Sequence, residues 1–321
     1  MRHGHIRHGS LQFWPRKKAS KILPRVNWNS ISVKYIGLLG FIGYKVGMAS
    51  AYVKDNTPNS LTKGKKITIP VTIMEFPTIK ILSVRFYKDN KLIGEILNQN
   101  LDKELKRKIK LYKKIKPVNF YEDKEKYNDL RVVIYSQVKK TGIKKTPDIV
   151  EIGLSGTIEE KLNFVKDNIS KEITINNFLN KEFLKQGLVD VRGVTKGKGF
   201  QGSTKRFGLN LQAHKTEKGI RGPGSGGPWH PARVEFTQPM AGQMGYFTRV
   251  IYNNKIIFIG SIKEEDINFK EGFKNFGKIK NDYALIYGSV QGPAKRQLII
   301  TVSSRPSKNQ IKKNYEFLEL R

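Results

Sequence analysis

The feature that most constrains this chain is the distribution of its charge, because two long segments contain almost no acid to balance their bases. Residues 1–54 contain ten Lys or Arg, and the first carboxylate of the chain is Asp55. Residues 191–250 contain ten Lys or Arg, two Glu and 12 of the 29 glycines. The formal net charge of all 321 residues is +33 at pH 7. Folded domains normally mix both signs on their surfaces, so the N-terminal segment is predicted to be ordered by something acidic. The overall excess of positive charge predicts nucleic acid or an anionic surface as the partner.

The N-terminal basic segment also contains aromatic residues among its bases: Phe13, Trp14, Trp28, Tyr35 and Phe41. Flat rings among cations are suited to stacking on nucleic-acid bases and to packing against ribose. A solvated tail is the alternative interpretation of this segment.

Composition limits the remaining classes of protein. The chain is 38% hydrophobic and 10% aromatic, too apolar for wholesale disorder, and its length is enough for about two domains. It has no cysteine, which excludes disulfides, thiolate metal sites and cysteine nucleophiles and favours a reducing compartment. The longest weakly polar run, over 35–44, is too short to span a bilayer, and the basic N-terminus lacks the apolar stretch of a signal peptide. We expect a soluble intracellular protein.

Periodic patterns predict an ordinary folded region between the two basic segments. Alternation over 67–73 and the apolar run 79–87, on either side of a Pro-Thr turn, predict a β-hairpin. Apolar residues spaced by four and three predict a helix over 101–112, and the capping box at 157–160 opens another helix. A short helix over 178–185 is predicted to end at the following glycine.

Strand patterns continue on both sides of the second basic segment. The predicted strands are 131–135, 188–194, 247–252, 255–259, 283–290 and 298–302. Asn253 and Asn254, between two of these, predict a tight hairpin. Residues 196–247 have neither helical nor strand period, so they are either disordered or a long loop held by a partner.

The glycine-rich stretch 197–202 matches GxGxxG and follows a predicted strand. A dinucleotide-binding site would also need a helix opening at the third glycine within a βαβ unit, and residues 203–208 have no apolar helical period. We therefore interpret these glycines as positions where the backbone approaches RNA phosphates while neighbouring Lys and Arg supply charge. A flexible glycine loop is the alternative.

Other candidate sites are weak. The histidines at 3, 5 and 8 have no acidic or sulfur ligand nearby, so no metal site is predicted. Ser203 and Ser225 have no His and Asp partners at a recognisable spacing. Trp229 ends a Gly/Pro-rich stretch over 219–233, and it either folds back onto the core or forms the tip of a thin finger that contacts RNA.

Nine motifs, in order along almost the whole chain, resemble the ribosomal protein L-three family, the universal third protein of the large ribosomal subunit. They occupy 7–11 (RHGSL), 15–19 (PRKKA), 43–48 (GYKVGM), 190–202 (DVRGVTKGKGFQG), 204–208 (TKRFG), 227–234 (GPWHPARV), 241–246 (AGQMGY), 281–283 (NDY) and 288–296 (GSVQGPAKR). The additional residues at about 89–185 resemble the archaeal and eukaryotic type, and the compact length favours an archaeal member.

The resemblance implies an α+β, mainly β fold with a central β-barrel, an inserted α/β unit and long basic extensions that penetrate rRNA. It implies these segments: a basic N-terminal extension (1–35), the first part of the barrel core (36–88), the inserted unit (89–187), a barrel strand (188–195), the Gly/basic extension with a tryptophan finger (196–247), and the remaining barrel with the C-terminal tail (248–321).

The resemblance and the charge pattern together assign a set of candidate RNA-binding residues. These are Arg7, His8, Arg16, Lys17, Lys18, Lys21, Arg25, Lys196, Lys198, Lys205, Arg206, His214, Lys215, Lys218, Arg221, Trp229, His230, Arg233, Gln243 and Arg249. The glycines expected to allow close backbone approach are Gly197, Gly199, Gly202 and Gly227.

The function implied by the resemblance is that of a non-catalytic structural constituent of the large ribosomal subunit in the cytoplasm. Family members bind large-subunit rRNA, support early assembly, and shape the peptidyl transferase centre and A-site tRNA entry. The expected partners are large-subunit rRNA, neighbouring ribosomal proteins and, indirectly, tRNA and elongation factors, with no membrane and no homo-oligomer. No cofactor is expected, and structural magnesium would be bound by the rRNA. A free-standing nucleic-acid-binding regulator is the alternative; an enzyme using a nucleotide at the glycine motif is a third reading.

Overall fold

The structure is a computed structural model that describes residues 8–31, 33, 35–111, 127–178, 187–227, 229 and 231–321. The predicted helix over 178–185 lies outside the described residues except for its first residue. The candidate RNA-binding residues Arg7 and His230 also lie outside them. The chain divides into two compact units. Unit 1 comprises Met1–Ile22 and Val194–Arg249, and unit 2 comprises Leu23–Gly193 and Val250–Arg321.

Strands dominate the described residues, and their sheets are built mainly from antiparallel pairs. The strands are β1 (Gly37–Leu38), β2 (Gly40–Asp55), β3 (Lys66–Phe76), β4 (Ile79–Lys88), β5 (Lys91–Leu97), β6 (Asp129–Ser136), β7 (Ile149–Ser155), β8 (Leu188–Val194), β9 (Phe200–Gln201), β10 (Gly242–Gln243), β11 (Thr248–Ser261), β12 (Asp282–Tyr287), β13 (Gln297–Val302) and β14 (Tyr315–Leu320). The helices are α1 (Ile158–Asn168), α2 (Ile175–Phe178), α3 (Ser203–Phe207) and α4 (Lys308–Lys312), with 3₁₀ helices at Leu11–Phe13, Trp28–Ser30, Lys103–Arg107 and Val138–Thr141. The mainly β prediction is confirmed.

The larger sheet is ring-like because its longest strand pairs with several partners. Its order is β13-β8-β11-β12-β3-β2-β14, and β13 also pairs with β2. The first part of β2 lies beside β13, with Ile42 opposite Ile299, and its last part lies beside β14, with Val53 opposite Phe317. A 16-residue strand is long enough to serve two partners in succession on one edge.

The smaller sheet has five strands in the order β1-β7-β6-β4-β5. Helix α1 begins at the predicted capping box: the Thr157 hydroxyl accepts the Glu160 N–H, and the Glu160 carboxylate accepts the Thr157 N–H. Its apolar residues Leu162 and Val165 are buried in the core cluster of unit 2. That cluster also contains Trp28 and Phe41, which are 5% and 0% exposed. The interpretation of these two rings as nucleic-acid stacking residues is therefore wrong.

The predicted hairpin between 67–73 and 79–87 is also wrong. Both strands exist, but β3 pairs with β2 and β12 in the larger sheet, whereas β4 pairs with β5 and β6 in the smaller one. The Pro77 turn sends the chain from one sheet to the other. Local alternation identifies a strand, but its partner depends on residues that are distant in sequence.

The predicted hairpin at Asn253 and Asn254 is wrong, because both residues lie inside the continuous strand β11. Asn253 has a φ of +57°, a left-handed conformation that Asn tolerates better than most residues. Its N–H donates to Asp190 Oδ1 at 2.9 Å, and its side-chain oxygen accepts from the Ser303 hydroxyl at 2.6 Å. These bonds to neighbouring segments hold the chain in one strand instead of reversing it.

The predicted helix over 101–112 is shorter and tighter than expected. Its described part is the 3₁₀ helix Lys103–Arg107, in which only Leu105 is buried. Leu101, Ile109 and Leu111 nevertheless pack against the same cluster as Leu105, so the apolar spacing predicted the buried side of this segment but not its helical length.

Candidate nucleic-acid interface

Unit 1 combines the N-terminal segment with the glycine-rich segment, and its charge is almost entirely positive. Residues 1–22 and 194–249 contain 15 Lys or Arg and two Glu. Few of its aliphatic side chains are buried, so hydrogen bonds and aromatic contacts hold its backbone in place.

An irregular antiparallel ladder forms the base of the glycine-rich segment. Gln201 lies opposite Gly242 in the β9–β10 pair, and Lys198 N–H donates to the Met244 carbonyl at 2.9 Å. Gly245 has a φ of +68°, and a Cβ there would lie 2.2 Å from the Lys196 carbonyl oxygen. Only glycine fits this close approach.

A one-turn helix follows Gly202, contrary to the prediction that no helix opens there. Helix α3 ends at Gly208, whose φ is +67°, and it buries Phe207. One turn is too short to show an apolar period in the sequence, and for this reason the helix was not predicted. The preceding β9 pairs antiparallel with β10, so this segment is not a βαβ unit and lacks the architecture of a dinucleotide site.

Two arginines tie the N-terminal segment to the glycine-rich segment. Arg206 donates from Nε to the Gln243 carbonyl at 2.9 Å, from Nη1 to the Met240 carbonyl at 2.9 Å, and from Nη2 to the Arg16 carbonyl at 3.0 Å. Arg16 Nη1 in turn donates to the Arg206 carbonyl at 3.0 Å. The forked guanidinium groups thus bind backbone carbonyls of both segments.

Aromatic rings pack around these guanidinium groups. The Arg16 guanidinium carbon lies 4.3 Å from the Phe207 ring centroid. Trp14 stacks on Phe207 with ring centroids 5.6 Å apart, and it meets the edge of Phe236 at 6.1 Å. Sequence reasoning missed this cluster because Arg16 and Arg206 are 190 residues apart and each was assigned separately as an RNA-binding base.

The positive charges of unit 1 are close enough to affect one another. Burial lowers the pKa of the Arg16 guanidinium. Burial, and then the charge of Arg16, lower the pKa of both Arg206 and Arg249. Arginine remains protonated despite such shifts, so Arg16 repels both Arg206 and Arg249, and an anion nearby is favoured.

Most of the predicted site residues are exposed. The exposed ones are Lys17, Lys18, Lys21, Arg25, Lys196, Lys198, Lys205, His214, Lys215, Lys218, Arg221, Trp229 and Arg233. The half-buried ones are His8, Arg16, Arg206, Gln243 and Arg249. Arg25 belongs to unit 2, and the others belong to unit 1. Open space lies beside Gly199 and Gly202, and a Cβ on Gly197 would make only ordinary contact with Tyr246.

Replacing Arg206 with Lys is expected to loosen unit 1 without changing its charge. Lys cannot donate to three carbonyls in a planar fork, so about 2 kcal/mol of local stability is lost. Amide hydrogen exchange of residues 240–247 should then be roughly 30-fold faster. Arg233→Lys, at an exposed position, is the control, and in this variant the amides of residues 240–247 should exchange at the wild-type rate. An unchanged exchange rate in R206K would contradict the role given to Arg206.

The described residues contain no helix long and apolar enough to cross a membrane. They also contain no group of three or more His, Cys, Asp or Glu placed to hold a metal ion.

Comparison with known proteins places the chain in a family. The model of the family described as Ribosomal protein L3 matches residues 1–320. The "Large ribosomal subunit protein uL3" of Methanocaldococcus jannaschii is 42% identical, over 95% of this chain and 93% of that protein. The proteins of the same name from Methanococcus vannielii and Methanobrevibacter smithii are 41% and 40% identical, over 97% and 96% of this chain and 94% of each relative. The chain therefore belongs to the ribosomal protein L3 family.

Proposed function

We propose that unit 1 is the principal rRNA-binding part of this protein. As a member of the ribosomal protein L3 family, the chain is a non-catalytic structural constituent of the large ribosomal subunit. The observation that carries the proposal is the charge of unit 1, in which 15 bases accompany two acids and most of the bases are exposed. Phosphate neutralisation by such bases supplies much of the affinity for RNA.

Exposed aromatic rings give unit 1 a second means of contact. Trp229, Phe236 and Phe200 are 82%, 79% and 77% exposed. Such rings can stack on unpaired bases, which is the usual way that proteins contact single-stranded RNA regions. Open space beside Gly199 and Gly202 allows the RNA backbone to approach the protein backbone closely.

The finer architecture belongs to the same proposal. The ring of six strands, β13-β8-β11-β12-β3-β2, would act as a closed β-barrel, with residues 1–35 and 196–247 as extensions into rRNA. The segments implied by the resemblance, including an inserted unit at 89–187, are part of this proposal, although β1 and β4 of the segment 36–88 pair in the smaller sheet with strands of the inserted unit. Through these contacts the protein would support subunit assembly, lie against neighbouring ribosomal proteins and influence the peptidyl transferase centre and tRNA entry.

Sucrose-gradient sedimentation of native lysate tests the assignment. Magnesium is chelated to split the subunits, and the protein is followed by blot. We expect co-migration with the large subunit through a salt wash that strips peripheral factors. A protein that stays at the top of the gradient would instead support the free-standing regulator.

Replacing Trp229 with Ala is expected to separate stability from function. Because 82% of this side chain is exposed, the thermal stability of the free protein should hardly change, while decoding-linked steps of translation are disturbed. The buried Trp28→Ala is the matched control and should cost about 3–5 kcal/mol. A comparable loss in W229A would show that Trp229 packs in the core and is not a contact residue.

A further inference from the structure

Unit 1 contains a surface cavity of about 340 Å³ lined by residues 13–20 and 247–249, here called the arm cavity. This volume is near the lower end of the range for small-ligand pockets, about 300–1,000 Å³. Among the described residues, the lining contains no carboxylate and four basic side chains, those of Arg16, Lys17, Lys18 and Arg249. It also contains three aromatic side chains, those of Phe13, Trp14 and Phe247. Such a lining suits a ligand that is anionic at one end and flat and apolar at the other.

The aromatic part of the arm cavity is already arranged as a stack. The Arg249 guanidinium carbon lies 4.3 Å from the Phe13 ring centroid and 5.0 Å from that of Phe247. Phe13 remains 47% exposed, although it is a large apolar side chain. RNA bases stack on aromatic rings and on guanidinium planes alike, so a base can extend this stack.

Two donor atoms in the lining of the arm cavity lack an acceptor among the described residues. Trp14 Nε1 and Arg16 Nε are buried without a hydrogen-bond partner. A buried unsatisfied donor is costly, and Arg16 and Arg249 also repel each other. A phosphodiester in the cavity brings a negative charge beside these two guanidinium groups, and therefore relieves their repulsion.

We propose that the arm cavity binds one nucleotide of the large-subunit rRNA, with the base stacked on Phe13 and Arg249 and the phosphate held by Arg16 and its neighbouring lysines. The inference rests on the proposed rRNA-binding function of unit 1. It adds a discrete nucleotide site to a surface otherwise described by its charge.

Chemical probing of rRNA in assembled large subunits tests this site. Subunits carrying Phe13→Ala or Arg249→Gln are compared with wild type by dimethyl sulfate and 2′-hydroxyl acylation. Both variants should make the same one or two adjacent nucleotides reactive to the probes. The fraction of subunits in which these nucleotides are unprotected should rise by roughly 5- to 150-fold, up to full exposure, as expected for loss of one base–aromatic stack. Phe13→Tyr keeps a ring and should restore protection, and Lys263→Ala in unit 2 is the charge control.

Other results would overturn the inference. Unchanged reactivity at every nucleotide in F13A subunits, or different nucleotides exposed in F13A and R249Q, would exclude a shared nucleotide site. In either case the variant protein still co-migrates with the large subunit, so the proposed function would survive. Absence of the wild-type protein from large subunits would instead remove the function and the site together.

A titration of the free full-length protein separates base stacking from simple anion binding. Adenosine 5′-monophosphate should bind more tightly than inorganic phosphate, and F13A should abolish that difference. Equal affinities of the wild-type protein for the two probes would show a phosphate site only, and would overturn the role of Phe13.

Discussion

Raising the salt concentration from 50 to 200 mM is expected to weaken the binding of this protein to an rRNA fragment by about 10⁴- to 10⁵-fold. If about ten bases of unit 1 engage phosphates, the logarithm of the affinity falls against the logarithm of salt with a slope of roughly −7 to −9. The reason is the release of condensed counterions from each neutralised phosphate. Filter binding or fluorescence anisotropy over a salt series measures the slope, and a slope near −2 would show that few phosphates are contacted.

A pair of triple variants locates the charges responsible. Replacing Lys196, Lys198 and Lys205 with Ala should make the slope less steep by roughly 2 to 3, at about 0.7–0.9 for each lost phosphate contact. The control replaces the exposed Lys263, Lys270 and Lys274 of unit 2, where neighbouring acids mix the surface charge. Equal effects of the two triple variants would mean that total charge, not unit 1, determines the binding.

Asp190→Ala is expected to lower the free energy of unfolding by about 3–5 kcal/mol. This carboxylate is fully buried. It accepts the Asn253 N–H at 2.9 Å, the Ser304 N–H at 3.0 Å and the Ser304 hydroxyl at 3.1 Å. Its loss leaves buried donors unsatisfied where β8, β11 and the segment after β13 meet, and each such donor costs about 1–3 kcal/mol.

Urea unfolding followed by circular dichroism measures this effect, as a shift in midpoint at constant slope. Asp190→Asn keeps one carbonyl oxygen as an acceptor, so it should cost less than Asp190→Ala. A loss below about 1 kcal/mol in D190A would show that water or a neighbouring group replaces the carboxylate. Asp190 lies in the longest motif that resembles the family, so this result would assign a structural role to part of that motif.

Elements stabilised by local interactions could be predicted from the sequence. The capping box of α1 and strands β6, β8 and β13 lie close to where the pattern placed them, because their signals are the alternation and capping of adjacent residues. Both predicted hairpins failed, because a strand's partner is selected by distant side chains. The aromatic residues show the same limit: Phe13 and Trp28 lie in one basic segment, yet one is exposed and the other is buried.

The sequence by itself determined the family, the segregation of positive charge and the lack of an aliphatic core in residues 196–247, since composition and ordered motifs do not depend on how the chain folds. Only the tertiary structure decided that Arg16 and Arg206 bond to each other's backbone. It also decided that β2 joins β13 and β14 in one sheet. These contacts link residues far apart in the chain, and such hydrogen bonds require donor and acceptor within about 3 Å, a distance that the folded backbone sets and the linear pattern does not encode.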